Sequence, residues 1–210
     1  MWLLTIIVIA IISIAALRPG KTRRRFATGV SLRAGRAGER HVSRALRAAG
    51  GLVHLDDLVF THNGVTVQID HLIRTPDRII VVETKHWAGI IEPAADAPAW
   101  TVRRRPSARP ERRHNPLRQN AWHCEALSAA FSVPTQSLVV LTAGARFAGV
   151  RPANVVLLPE LADRLARISR SRPEPRVSRA WARIAGLARS PRQSRLHTDH
   201  VARMRQQSTL

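Results

Sequence analysis

The sequence predicts a mixed α/β domain: a mixed central β-sheet flanked by helices, preceded by one N-terminal transmembrane helix. Three observations carry this. Val- and Ile-rich runs of strand length recur between residues 52 and 159. Capped or amphipathic stretches stand before, between and after those runs, the arrangement of helices packed on a sheet. Finally, "WLLTIIVIAIISIAAL", residues 2–17, contains no charged residue and is close to the length needed to cross a bilayer.

Taken in order, residues 1–18 are read as a membrane anchor. No basic residue precedes the apolar run, which argues against a cleaved signal peptide. Arg18, Lys21, Arg23, Arg24 and Arg25 all follow it. The bias of positive charge predicts an N-terminus outside and the rest of the chain in the cytoplasm, at the inner (plasma) membrane. Residues 19–35 are basic and aperiodic and read as a linker. The domain proper is placed at 36–170. It opens with a helix in "AGERHVSRALRAAGG", where Val42, Ala45, Leu46 and Ala49 recur at helical spacing and Gly50-Gly51 ends the pattern. Strands follow at 52–60, 65–75 and 78–87, joined by "HNG" and "TPDR" turns. A fourth strand is read at Trp100–Arg104, before an Arg/Pro loop.

The next helix is strongly signalled, with Asn115 as N-cap, Pro116 in the first position and Leu117, Ala121, Cys124, Leu127 and Phe131 as its stripe. Cys124 on that stripe reads as a buried thiol. Buried strands at 136–144 and 154–159 and a short helix at 160–169 complete the domain. Residues 171–210 form a basic tail. In it, 177–189 is an amphipathic helix suited either to packing on the domain or to an anionic surface, and the segment after Ser190 reads as disordered.

The balance of charge points to a polyanionic partner. Lys and Arg number 34 against 14 Asp and Glu, a net charge of +20 with pI ≈ 12.0. A single Cys excludes an internal disulfide. The spacing of His71, His86, His114 and His123 fits no recurring zinc pattern. Trp87 and Trp100 read as core or sheet-edge residues before base-stacking ones.

Only two of the cations are lysines, and Lys85 lies in "VVETKHWAG". With Pro76-Asp77 at the centre of a hairpin, cross-strand partners sum to 153, which sets Asp70 opposite Glu83 on one face. Lys85 shares that face, because side chains alternate along a strand. Two facing carboxylates repel unless a cation or a proton lies between them. Oxygen donors of this kind suit Mg²⁺ or Mn²⁺, and a lysine alongside can act on an attacking water as no guanidinium can.

"QID" followed by "ETK" resembles the D…(D/E)xK signature of the restriction-endonuclease-like superfamily. "GER" (38–40), "QIDHLI" (68–73), "VVETKHWAG" (81–89) and "NPLRQNAWH" (115–123) resemble, in order, the blocks of the nuclease-related domain family. The resemblance implies a restriction-endonuclease-like fold and metal-dependent phosphodiester hydrolysis. Asp70 and Glu83 would be metal-binding carboxylates, Lys85 the catalytic lysine, and Glu39 and Gln119 supporting members of the site. Outside these blocks, Arg103, Arg104, Arg105, Arg112 and Arg113 are read as phosphate contacts to nucleic acid. The rival reading is a catalytically inactive, membrane-tethered nucleic-acid-binding or scaffold protein. DNA and RNA are not distinguished.

Overall fold

A computed structural model describes residues 21–94, 96–168 and 172–207. The span expected at 2–17 lies outside these residues. Among the described ones, no helix is long and apolar enough to cross a membrane. Helix α1 runs Lys21–Ala48, so the stretch read as a linker is helical from its third residue. Strands β1 (Val53–His62), β2 (Val65–Arg74) and β3 (Ile79–Lys85) follow as antiparallel neighbours. Three short strands come next: β4 (Gly89–Glu92), β5 (Ala99–Arg103) and β6 (Glu111–His114). Helix α2 (Pro116–Phe131) leads to β7 (Thr135–Leu141), β8 (Ala145–Phe147) and β9 (Val155–Leu157). Helices α3 (Leu161–Ile168), α4 (Pro175–Ala188) and α5 (Pro191–Gln207) close the described chain.

Five strands in the order β1-β2-β3-β7-β9 make the central sheet, with β7 and β9 parallel to β3. It is a mixed sheet flanked by helices, as expected. A second sheet, β6-β5-β4-β8, grows from the ends of the two central strands, since β4 continues β3 and β8 continues β7. The sequence reading missed β4, β6 and β8. With three or four residues each, they are too short to show a period, and β6 is "ERRH".

β3 is covered on both faces, which is why "IIVV" is uninterruptedly apolar and fully buried. On one face α1 and α3 bring Val42, Leu46, Leu161 and Leu165 against Ile73, Ile80 and Val82. On the other, α2 and α4 bring Leu127, Phe131, Val177, Trp181 and Ile184 against Leu58, Ile69 and Val81. Helix α4 is thus part of the core. The disorder expected after Ser190 is also corrected: α5 docks on β1, with the Gln193 side chain donating to Asp57 O (2.7 Å) and accepting from Val59 N (3.1 Å). Trp87 and Trp100 meet edge to face in a third cluster beneath the second sheet. Cys124 is buried, and burial pushes its thiol up to about 11.

The β2–β3 register is the predicted one: His71 pairs with Val82, Leu72 with Val81, Ile73 with Ile80 and Arg74 with Ile79. The ladder stops one step short of Asp70 and Glu83. The β1–β2 ladder is interrupted at the same level, where Asp57 and Asp70 are skipped and Asp57 adopts φ 55°. Side-chain alternation slips there. Ile69 and Leu72, three apart, both join the cluster under α2 and α4, where strict alternation would send them to opposite faces. The central sheet therefore opens where its acidic residues sit.

Candidate active site

The apolar run of β3 ends in "ETK", which carries polar groups into a site still walled by the core. Glu83 is only 3% exposed. Its Oε1 lies 2.7 Å from Lys85 Nζ, and the same Nζ donates to Gln119 Oε1 at 2.9 Å. Strand alternation puts Lys85 beside Glu83, while α2 supplies Gln119. That helix is fixed at its start by Asn115, whose Oδ1 accepts from Leu117 N (2.9 Å) and whose Nδ2 donates to Ala94 O and Ala97 O. One turn beyond Gln119, His123 brings Nδ1 to 3.3 Å from Glu83 Oε2. The approach lacks hydrogen-bond geometry, so both buried atoms are without a hydrogen-bond partner.

Asp70 faces this group from β2. Its Oδ2 accepts from Thr84 N at 2.8 Å, a side-chain bond across the point where the ladder opens. Burial pushes its carboxyl well above the usual carboxylate range, and the neighbouring charges of Glu83 and Glu39 add to the rise against the Thr84 N–H. Burial would raise Glu83 too, but the Lys85 ammonium and His123 outweigh it and hold Glu83 down. Of the coupled pair, Glu83 therefore keeps its charge while Asp70 resists ionisation. Glu39 reaches the cluster from α1 and is raised by burial and by the charges of Asp57 and Glu83. Its neighbour Gly38 permits the approach, because a Cβ there would meet Thr142 Oγ1 at 2.8 Å and His86 Cβ at 3.1 Å.

Sequence reasoning therefore selected residues that do converge: Asp70, Glu83, Lys85 and Gln119 in one cluster, with Glu39 alongside. It gave no role to His71, which is 1% exposed. His71 Nδ1 lies 2.8 Å from Asp56 Oδ1 and Nε2 3.2 Å from Thr84 Oγ1. Asp56 also accepts from Ser43 Oγ. This chain, buried except at Asp56, ties α1, β1 and β2 to the residue whose N–H holds Asp70. Its signal in the sequence is a polar residue directly after Asp70, where the alternation of the strand calls for an apolar one.

The five arginines read as phosphate contacts divide. Arg103 pairs with Glu92, while Arg104 and Arg113 pair with Glu111. Arg105 and Arg112 are exposed. Arg113 also lies over the Trp87 ring at 5.8 Å.

The donor set fits a hard divalent cation. Two carboxylates meet with one buried oxygen, Glu83 Oε2, lacking a hydrogen-bond partner. No group of three or more His, Cys, Asp or Glu among the described residues forms a ready-made cage. A cation that keeps water and substrate oxygens in its shell needs none.

Asp70→Asn is expected to raise the melting temperature at pH 7 without metal, because it removes a carboxyl forced against Glu83. A rise of about 2–4 °C corresponds to roughly 1 kcal/mol in a chain of this size. The sign follows from linkage. Asp70's folded pKa lies above its unfolded value, so its favourable contribution is present at acid pH and is lost as pH rises through the folded value. The gap between variant and wild type should therefore close on acidification. A melting temperature unchanged or lowered at pH 7 would contradict the crowding of Asp70 and Glu83.

The family model described as Nuclease-related domain matches residues 34–142. An uncharacterized protein of Bacillus anthracis is 34% identical over 100 residues, a match covering 44% of this chain and 44% of that one. The chain thus aligns with less than half the length of that relative.

Proposed function

The chain belongs to the nuclease-related domain family, whose domain is restriction-endonuclease-like, and from that premise we propose that it is a membrane-anchored, metal-dependent nuclease hydrolysing phosphodiester bonds in DNA or RNA. The observation that carries the proposal is the state of Glu83. One of its oxygens is held by Lys85 and the other is buried without a hydrogen-bond partner, beside a second carboxylate that resists ionising next to it. Asp70 and Glu83 would be relieved of that repulsion by a divalent cation held between them.

Asp70 and Glu83 would hold Mg²⁺ or Mn²⁺. The bound ion would supply Lewis-acid polarisation of the phosphate and a readily ionised water. Gln119 and Glu83 fix the Lys85 ammonium from two sides. Those two bonds engage two of its three donors, leaving the third to orient the attacking water or to meet charge building on the phosphoryl oxygens. The His123 ring lies beside Glu83 Oε2, and Thr84 N–H orients Asp70. Glu39 contributes charge from α1. Arg105 and Arg112 would meet phosphates, and the ion-paired Arg103, Arg104 and Arg113 can exchange partners at little cost, as surface pairs do. The apolar residues 2–17 would anchor the chain in the inner membrane, with the nuclease in the cytoplasm.

The test is cleavage by the full-length protein, purified in detergent, of plasmid and single-stranded substrates with Mg²⁺, Mn²⁺ or EDTA. We expect cleavage that requires metal and falls at least about 10³-fold in Asp70→Ala, with nucleic-acid affinity retained or increased. Binding without cleavage in either metal would overturn the catalytic reading.

A further inference from the structure

Helix α2 carries an aromatic side chain at the solvent rim of this site. Trp122 is 41% exposed, the one aromatic among the exposed large hydrophobic residues described, whereas Trp87, Trp100 and Trp181 are buried. Its ring lies 5.5 Å from that of His123, whose Nδ1 is 3.3 Å from Glu83 Oε2. Two contacts thus link the indole to the carboxylate at the centre of the site.

Helix geometry gives the order of groups leading outward. Asn120, Cys124 and Leu127 face the core. At about 100° per residue, Gln119 and His123 project about 40° apart toward Glu83 and Lys85. Trp122 stands about 60° from Gln119 on the solvent side, and the exposed Arg118 about 40° further. A polar group that touches the reacting centre, an aromatic face and a cation therefore follow one another across the helix.

Resting on the nuclease reading, we propose that Trp122 is a base-stacking platform. The substrate is then nucleic acid whose bases beside the scissile phosphate are unpaired: a single strand, or a frayed or gapped end. Arg118 takes a neighbouring phosphate. In a paired duplex the faces of internal bases are covered by their neighbours, so an indole can be met face to face only by an unstacked base. Exposed Arg118 and Glu125 and half-buried Gln119 surround the indole, a polar setting that suits a nucleic-acid strand and lacks the apolar patch a lipid surface needs.

Binding can be measured without catalysis. In an Asp70→Ala background, the full-length protein would be titrated without metal with a fluorescent single-stranded oligonucleotide, the same strand carrying abasic sites, the matching duplex, and anionic phosphatidylserine vesicles. Trp122→Ala should weaken single-strand binding about 5- to 100-fold and change duplex binding less than about twofold. Trp122→Phe should retain most of the affinity, and the abasic strand should no longer distinguish wild type from the alanine variant. Equal loss on single strand and duplex, no loss on either, or a loss confined to vesicles would each overturn the proposal. An unchanged melting temperature in Trp122→Ala checks that the fold is intact. Failure of the nuclease reading appears as absent cleavage with this binding difference preserved. Failure of the stacking proposal appears as equal binding with cleavage preserved.

Discussion

Replacing Lys85 with alanine or with arginine is expected to slow cleavage by about 10²–10⁴-fold, the usual scale for a positioned group acting on a proton in the transition state. The arginine variant is the informative one. It keeps the positive charge beside Glu83, so a purely electrostatic role would leave most of the activity. A guanidinium does not give up a proton in proteins and presents a planar fork where Lys85 offers a compact tetrahedral donor. Lys85 Nζ sits between Glu83 Oε1 at 2.7 Å and Gln119 Oε1 at 2.9 Å and is 19% exposed on its side chain, a space fitted to a point charge. The loss should fall on kcat, with single-turnover rates reporting it directly and substrate affinity little changed. An arginine variant within about tenfold of wild type would remove Lys85 from proton transfer and leave it a charge-stabilising role.

The largest expected loss of stability lies outside the site, at Gly89→Ala. Gly89 adopts φ 101°, and a Cβ there would stand 2.2 Å from Arg103 O and 2.8 Å from Arg104 Cα. Both obstacles are backbone. Arg103 cannot retreat without breaking its pairing with Ile90, which joins β4 to β5. Strain and clash together should cost about 3 kcal/mol or more, a fall in melting temperature of roughly 6–12 °C. Gly64→Ala is the matched control, since its φ of 77° imposes strain but nothing lies within 4 Å of the added atom. It should cost about 1 kcal/mol. Equal losses in the two variants would show that backbone conformation alone, without the β4–β5 approach, sets the cost.

What could be read from the sequence follows the strength of local signals. The β3 run, the Asn115-Pro116 start of α2 and the Pro76-Asp77 turn each have one dominant physical cause, and each stands where expected. The pairing sum drawn from that turn holds for four residue pairs and brings Asp70, Glu83 and Lys85 together. The features that escaped depend on tertiary partners. β6 is "ERRH", a strand because β5 lies beside it. α5 is mostly polar along its length and ordered where Gln193 satisfies the backbone of β1. His71 gave no periodic signal, since its meaning lies in Asp56 and Thr84. The slip of alternation at Asp57 and Asp70 was also invisible, because alternation was the assumption used to read the strands.

Helix α1 runs unbroken from Lys21, four residues after the segment proposed to lie in the bilayer, past Glu39 at the site. Eighteen residues separate those two, and at about 1.5 Å each they make a strut roughly 27 Å long. That is several times the ~8 Å over which physiological salt damps a surface potential. Standing upright from the bilayer, such a strut would let the site work clear of the repulsion that anionic headgroups exert on an incoming polyanion. The proposed anchor would then act as a mooring of fixed length, setting how near the membrane a strand must come to be cut.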